Sequence, residues 1–234
     1  MKSFQKNDTL GQIVVTFPKS VTILKENHID YCCGGDRTIE EASKVEQFDV
    51  HQVLNAINQE YLTFQSINTT DIDWFNVPIL ELVNHILNTH HAYLYATLPR
   101  LSELTTTILR VHGHNHPELS KVHKLFHLLK MELEGHLIKE ETVQYPAIHQ
   151  FLETNDTTEL QTAKNVIAEL NEEHLGAGNI LKELRKITHD FEVPEDGCST
   201  YQKTYRLLAE MESDIFTHIH LENNILFHRI REIA

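Results

Sequence analysis

Four long stretches of this chain carry apolar residues at alternating steps of three and four, and a histidine interrupts each of those seams. Such spacing marks a helix that buries one stripe along its length. The first stretch opens at Asn76-Val77-Pro78 and runs to about Val111, and the second runs from Pro117 to about Leu152. The third begins at a cap near Asp156 and ends near His189, and the fourth runs from Ser199 or Thr200 to the end. Only VHGHNHP, TNDTTE and FEVPEDG separate them. Connections that short predict antiparallel neighbours, hence an all-α, up-down-up-down four-helix bundle over residues 78–234.

The seams define the candidate site. In the second stretch the stripe reads Val122, Phe126, Leu129, Leu133, His136, Glu140, Val143, Ala147; in the fourth it reads Leu208, Met211, Ile215, His218, Glu222, Ile225. HLIKEETVQYPAI (136–148) and HIHLENNILFHRI (218–230) therefore repeat one His-x-x-x-Glu pattern inside apolar seams. The third stripe is Leu160, Ala163, Ile167, Leu170, His174, Ala177, Leu181, Leu184. The first offers a choice between adjacent histidines. His91 lies in line with Leu80, Leu87, Leu94, Leu98, Leu101 and Ile108, whereas the His90 line turns polar at Thr97 and Arg100, so His91 is preferred. By the same test His220, in line with Ser213, Thr217 and Asn224, faces outward. At 1.5 Å per residue the four seam histidines fall roughly 20–25 Å from the same end of the bundle. His91, His136, Glu140, His174, His218 and Glu222 thus share one layer.

Two buried carboxylates in one layer are costly unless something positive neutralises them. A pair of metal ions does so, because His and Glu at i and i+4 share a helical face and each carboxylate can span two metals. Imidazole and carboxylate donors without thiolate favour Fe or Mn, admit Zn, and match Ca or Mg poorly. Ferritin-like bundles use Glu-x-x-His and more carboxylate. The reversed order and the histidine richness are those of hemerythrin-like bundles, which points to a carboxylate-bridged di-iron centre, with an oxo bridge, solvent or a small ligand such as dioxygen or nitric oxide filling the remaining positions.

The rest of the chain narrows the setting. Residues 1–66 read as a small helical domain, with Pro18 opening a helix over 20–27, a capping box at Thr38-Ile39-Glu40-Glu41, and Asp49 capping a helix through Tyr61. Residues 67–77 read as a linker, and Trp74 and Phe75 as its anchors on the bundle. The formal charge of −14 argues against nucleic acid or an anionic membrane as partner. A polar start, no apolar run long enough for a membrane, and three Cys predict a soluble, reduced, cytoplasmic setting. Cys32 and Cys33 precede Gly34-Gly35, where a tight turn would expose the thiols as a redox pair or iron relay. With Cys198, three thiols fall short of the four that a cluster takes. His112, His114 and His116 read as loop residues, and His85, His123 and His127 as polar-face residues.

DYCCGG (30–35), HHAYLYATLPRL, VHGHNHPEL, HLIKEE, EEHLGAG and HIHLENNILF follow one another over nearly the whole chain. In this order they resemble the iron–sulfur cluster repair di-iron proteins of the ScdA/YtfE type. The resemblance maps that family's iron ligands onto His91, His136, Glu140, His174, His218 and Glu222. The chain departs from the family at His90, where relatives often have Tyr, and at His228, where Pro often stands. The departure at His90 leaves open whether it joins the site. The resemblance implies two iron ions and a role in restoring clusters damaged by oxidative or nitrosative stress. Damaged iron–sulfur proteins would be the clients, and labile iron donation the mechanism. A sensor or binder of oxygen or nitric oxide, and a di-iron nitric oxide reductase, are the competing readings. An iron donor is favoured over a turnover enzyme, and the oligomeric state is left open, a homodimer included.

Overall fold

The computed structural model describes residues 3–66 and 73–234. Residues 67–72 of the expected linker lie outside the described residues. The described chain is helical throughout, with one isolated bridge between Thr9 and Thr38 and no named strand. It packs as two compact units, Met1–Leu82 with Ile219–Ala234, and Val83–His218.

The first unit holds α1 (Leu10–Thr16), α2 (Ser20–Glu26), α3 (Ile39–Glu46) and α4 (Val50–Ser66), together with the end of the chain. Side-chain caps start three of these helices. Thr9 Oγ1 accepts from Gln12 N at 3.2 Å and Thr38 Oγ1 from Glu41 N at 3.2 Å, each within a full capping box. Asp49 Oδ1 accepts from His51 N at 2.8 Å, and α4 continues past Tyr61 to Ser66. The core gathers Leu10, Ile13, Phe17, Leu24, Tyr31, Ile39 and Ile57, with Leu226, Phe227 and Ile230 from the chain end. Asn224 is the junction: its Nδ2 donates to Tyr31 O at 3.1 Å, and a Cβ on Gly11 would fall 2.8 Å from its Oδ1. Gly35 lies closer still. Glycine is required at both positions to let the backbone approach. Phe75 meets His228 at 5.9 Å between ring centroids, and Arg229 donates to Trp74 O, so these two residues anchor on the chain end.

His220 corrects the sequence reading. It is 7% exposed, not outward-facing. Its ring meets Tyr31 at 6.0 Å and accepts from Asn224 at 2.9 Å, and burial pushes its pKa down to about 4, so it stays neutral. The seam test assumed that the opposite face of the last helix meets water, but in this unit Tyr31, from the connection between α2 and α3, covers His220.

The second unit holds four helical runs joined by short connections, as the seams predict. The first is α5 (Ile79–Ile86), which the compact unit includes from Val83, a π turn over Leu87–His91 and α6 (Ala92–His112). The second is α7 (Glu118–Lys139), a π turn over Glu140–Gln144 and α8 (Tyr145–Thr154). The third is α9 (Thr157–Ile187), capped by Asp156, whose Oδ1 accepts from Thr158 N at 2.8 Å. The fourth is α10 (Ser199–His220), followed by a π segment over Leu221–Leu226 and α11 (Phe227–Glu232); the compact unit includes it as far as His218. α7 packs against α6 and α9, and α8 against α9. Leu94, Leu98, Leu101, Val122, Phe126, Leu129, Leu133, Ile167, Leu170, Leu181, Leu208, Met211 and Ile215 are buried, which makes the predicted seams the core. One seam position shifts. Val143 is 37% exposed and Gln144 is fully buried, because the π turn widens the spacing by one residue. Pro146, which lacks a backbone N–H, sits just beyond and favours that break.

Candidate metal centre

His136 lies at the end of α7, and Glu140 opens the π turn one helical turn later. Their side chains share a face, and both are buried. His91 ends the first π turn, His174 sits mid-way in α9, and His218 lies in the last turn of α10; all three are buried. The second unit brings these five expected ligands together. His91, Glu140 and His218 present ligand atoms within 4.8 Å of one another, and so do His136, Glu140 and His174. Glu222, the sixth, is the second residue of the π segment, four residues beyond His218 on the same helical run, and is wholly buried.

Glu140 is the centre of the arrangement. Its Oε2 lies 3.3 Å from His91 Nε2 and its Oε1 3.2 Å from His136 Nε2. His174 Nε2 stands 3.0 Å from His136 Nε2, and the His91 and His218 rings are 5.0 Å apart. One carboxylate therefore directs an oxygen into each of two imidazole groups.

Carboxylates behind the imidazoles decide what those nitrogens can do. His91 Nδ1 lies 2.8 Å from Glu141 Oε1, which also accepts from Tyr95 OH at 3.1 Å. His136 Nδ1 lies 2.8 Å from Glu173 Oε2, and Lys139 pairs with the same carboxylate. The hydrogen bond from His136 holds the Glu173 carboxyl down at about 2. A carboxylate at Nδ1 fixes the ring proton there and turns the Nε2 lone pair inward. Lone pairs on Nε2 and carboxylate oxygens about 3 Å apart repel unless a cation lies between them. The donor set, nitrogen and oxygen without thiolate, suits a transition metal.

Sequence reasoning did not find Glu141, Glu173, Tyr95 or Lys139. The signal was faint: in the pairs Glu140-Glu141 and Glu172-Glu173, an acid adjoins a ligand position. Which histidine each acid serves depends on a neighbouring helix. His90, passed over for His91, is also buried, with Nδ1 2.9 Å from Asp214 Oδ1 and its ring stacked against His218.

The cysteines lie apart from these five side chains in character. Cys32 and Cys33 are free thiols with sulfurs 3.8 Å apart, and Asp30 Oδ1 accepts from Cys33 N and Gly34 N. Asp30, Cys32 and Cys33 form a further group able to take a metal. Cys32 is buried, which corrects the expectation that the turn exposes both thiols, and burial raises its pKa well above the usual thiol range. Cys198 is exposed, 3.2 Å from His112 Nε2, and backbone N–H groups at the start of α10 with His112 lower its pKa to about 7. His116 is also engaged, at 2.9 Å from Asp196. Among the described residues no helix is long and apolar enough to cross a membrane.

Residues 82–230 match the family model described as the hemerythrin HHE cation binding domain. The chain belongs to that family. Residues 6–61 match a second model, the ScdA_N domain of unknown function. Along its whole length the chain is similar to proteins named iron–sulfur cluster repair proteins. One is ScdA of Staphylococcus epidermidis, 29% identical over 96% of this chain and 98% of that protein. Others are YtfE of Citrobacter koseri, at 30% over 96% of both chains, and YtfE of an Enterobacter species, at 31% over the same shares. The match to the cation-binding domain spans every histidine and glutamate of the cluster, and these groups could hold a metal ion.

Proposed function

We propose that this chain is a di-iron protein that repairs iron–sulfur clusters damaged by oxidative or nitrosative stress, by giving up labile iron to client proteins. The observation that carries the reading is the divided Glu140 carboxylate, one oxygen at His91 and the other at His136. In this reading His91 and His218 would hold one ion and His136 and His174 the other, with Glu140 shared between them; Glu222 is the further carboxylate that the sequence leads one to expect. Bound there, iron supplies coordination positions open to solvent or to a small ligand such as dioxygen or nitric oxide.

The protein's own part is to hold and to release. Glu141 and Glu173 keep His91 and His136 turned inward. Glu140, with one oxygen toward each imidazole group, would keep hold of one ion if the other were given up. The names of the full-length relatives support cluster repair as the role. The charge of −14 disfavours nucleic acid and anionic membranes as partners, and a cytoplasmic setting fits cysteines without disulfides. Cys32 and Cys33, adjacent and unbridged, serve as a relay for iron or electrons in this scheme.

The test is to load the full chain with ferrous iron, confirm about two ions per chain by metal analysis and optical spectrum, and add a client whose cluster has lost iron. Client activity should return as protein-bound iron falls. Intact di-iron protein with no recovery of the client would refute donation; reversible binding of nitric oxide without loss of iron would favour a sensor. Repeated turnover of nitric oxide with added reductant would favour a reductase.

A further inference from the structure

Three imidazoles in the second unit share one construction: a carboxylate on Nδ1 and a buried Nε2. Two are the ligands His91 and His136, seated on Glu141 and Glu173 at 2.8 Å. The third is His90, seated on Asp214 at 2.9 Å. His90 is 4% exposed, and among the described residues its Nε2 has no hydrogen-bond partner. Leaving a buried ring nitrogen unmatched is costly unless it serves something. The Asp214 carboxylate fixes the proton on Nδ1, so Nε2 presents a lone pair, the form that binds metals.

Its position gives the purpose. The His90 ring is parallel to that of His218, 5° from coplanar, with centroids 5.5 Å apart. His85, half-buried, also meets the His90 ring, 5.7 Å away and edge-on. With His91 at 5.0 Å from His218, four imidazoles are linked ring to ring, from the buried cluster to a partly exposed ring. We propose that His90 is a transfer ligand: a ferrous ion leaving the His91–Glu140–His218 position is taken by His90 Nε2 and handed to His85 on its way out of the bundle. No electron moves in this step. The bonds from the ion to His91, Glu140 and His218 break as the bond to His90 Nε2 forms, water fills the vacated positions, the His90 bond then breaks as one to His85 forms, and the ion stays ferrous throughout.

This inference rests on the di-iron reading, and two measurements on the full chain separate them. Wild type, His90→Gln and His85→Gln are loaded anaerobically with ferrous iron; bound iron is counted, and release to an excess of a ferrous chelator is then timed. Gln at 90 retains a donor for Asp214, and His85 is half-buried, so both variants should fold. The expected result is wild-type iron content in both variants, with release about tenfold slower in His90→Gln and a few-fold slower in His85→Gln. Release within about twofold of wild type in His90→Gln would overturn the proposal, and so would loss of about half its iron, which would make His90 a resident ligand. A wild-type chain that retains no iron would instead overturn the di-iron reading and remove the basis of the proposal.

Discussion

Glu140 concentrates the chemistry in one side chain. It is fully buried, and each of its oxygens faces a different imidazole. Glu140→Ala should therefore empty both positions, taking bound iron from about two ions per chain to well below one, as read by metal analysis. Glu173 acts one step further out, through His136. Glu173→Gln should leave both positions able to fill but weaken affinity by roughly 10–100-fold in a competition titration. Cys198 is a separate case, exposed at the start of α10 with His112 at 3.2 Å. Its lowered pKa means that the thiolate predominates above about pH 7 and is lost as the pH falls below it. Alkylation of Cys198, followed by peptide mass spectrometry, should rise with a midpoint near pH 7, about 1.5 units below that of a free thiol. Cys32, buried and raised, should lag behind it at every pH up to 9.

Among the helices, the π turns decide how the ligands present themselves. His91, Glu140 and Glu222 all lie in π segments, where the extra residue re-aims side chains relative to the α-helical seam. Pro146 rationalises the turn at Glu140–Gln144. The segment Leu221–Leu226 has His228 in the corresponding place, so proline is not required there. α7 carries His136 at the end of a seam whose packing sets its depth. Phe126, fully buried three turns earlier, anchors that seam. Phe126→Ala should cost about 3–5 kcal/mol in denaturant unfolding, by lost transfer energy and the cavity left behind. Asp156→Ala, at the start of α9, should cost about 1 kcal/mol through the lost cap.

At the level of the whole molecule, the division into units does not follow the order of the chain. The last residues, Ile219–Ala234, pack in the first unit, where Phe227 and Ile230 are buried and Asn224 reaches Tyr31. Deleting residues 1–66 should therefore do more than remove an appendage. It strips the cover from Asn224, Phe227 and His220, and loosens the segment that carries Glu222. A chain of residues 67–234 should bind at most about half the iron of the full chain and unfold at lower denaturant, checked by metal analysis and circular dichroism.

Much of this protein was legible in sequence because periodic burial writes itself into a helix one residue at a time. Leu129, Leu133, His136 and Glu140 occupy their predicted seam because 3.6 residues per turn places them there whatever surrounds them. The repeated His-x-x-x-Glu pattern and the family motifs were visible for the same reason. Contacts between helices leave no such periodic trace. The pairing of Glu141 with His91, Glu173 with His136 and Asp214 with His90 spans different helices, and the covering of His220 by Tyr31 joins a helix to a distant connecting segment. The one-residue shift that buries Gln144 in place of Val143 is also outside a uniform helical repeat. The sequence by itself determined the bundle, its seams and a layer of buried imidazole and carboxylate groups. Only the tertiary structure decided which acid stands behind each imidazole and which face of the last helix is dry, because those outcomes depend on how separate helices are brought together.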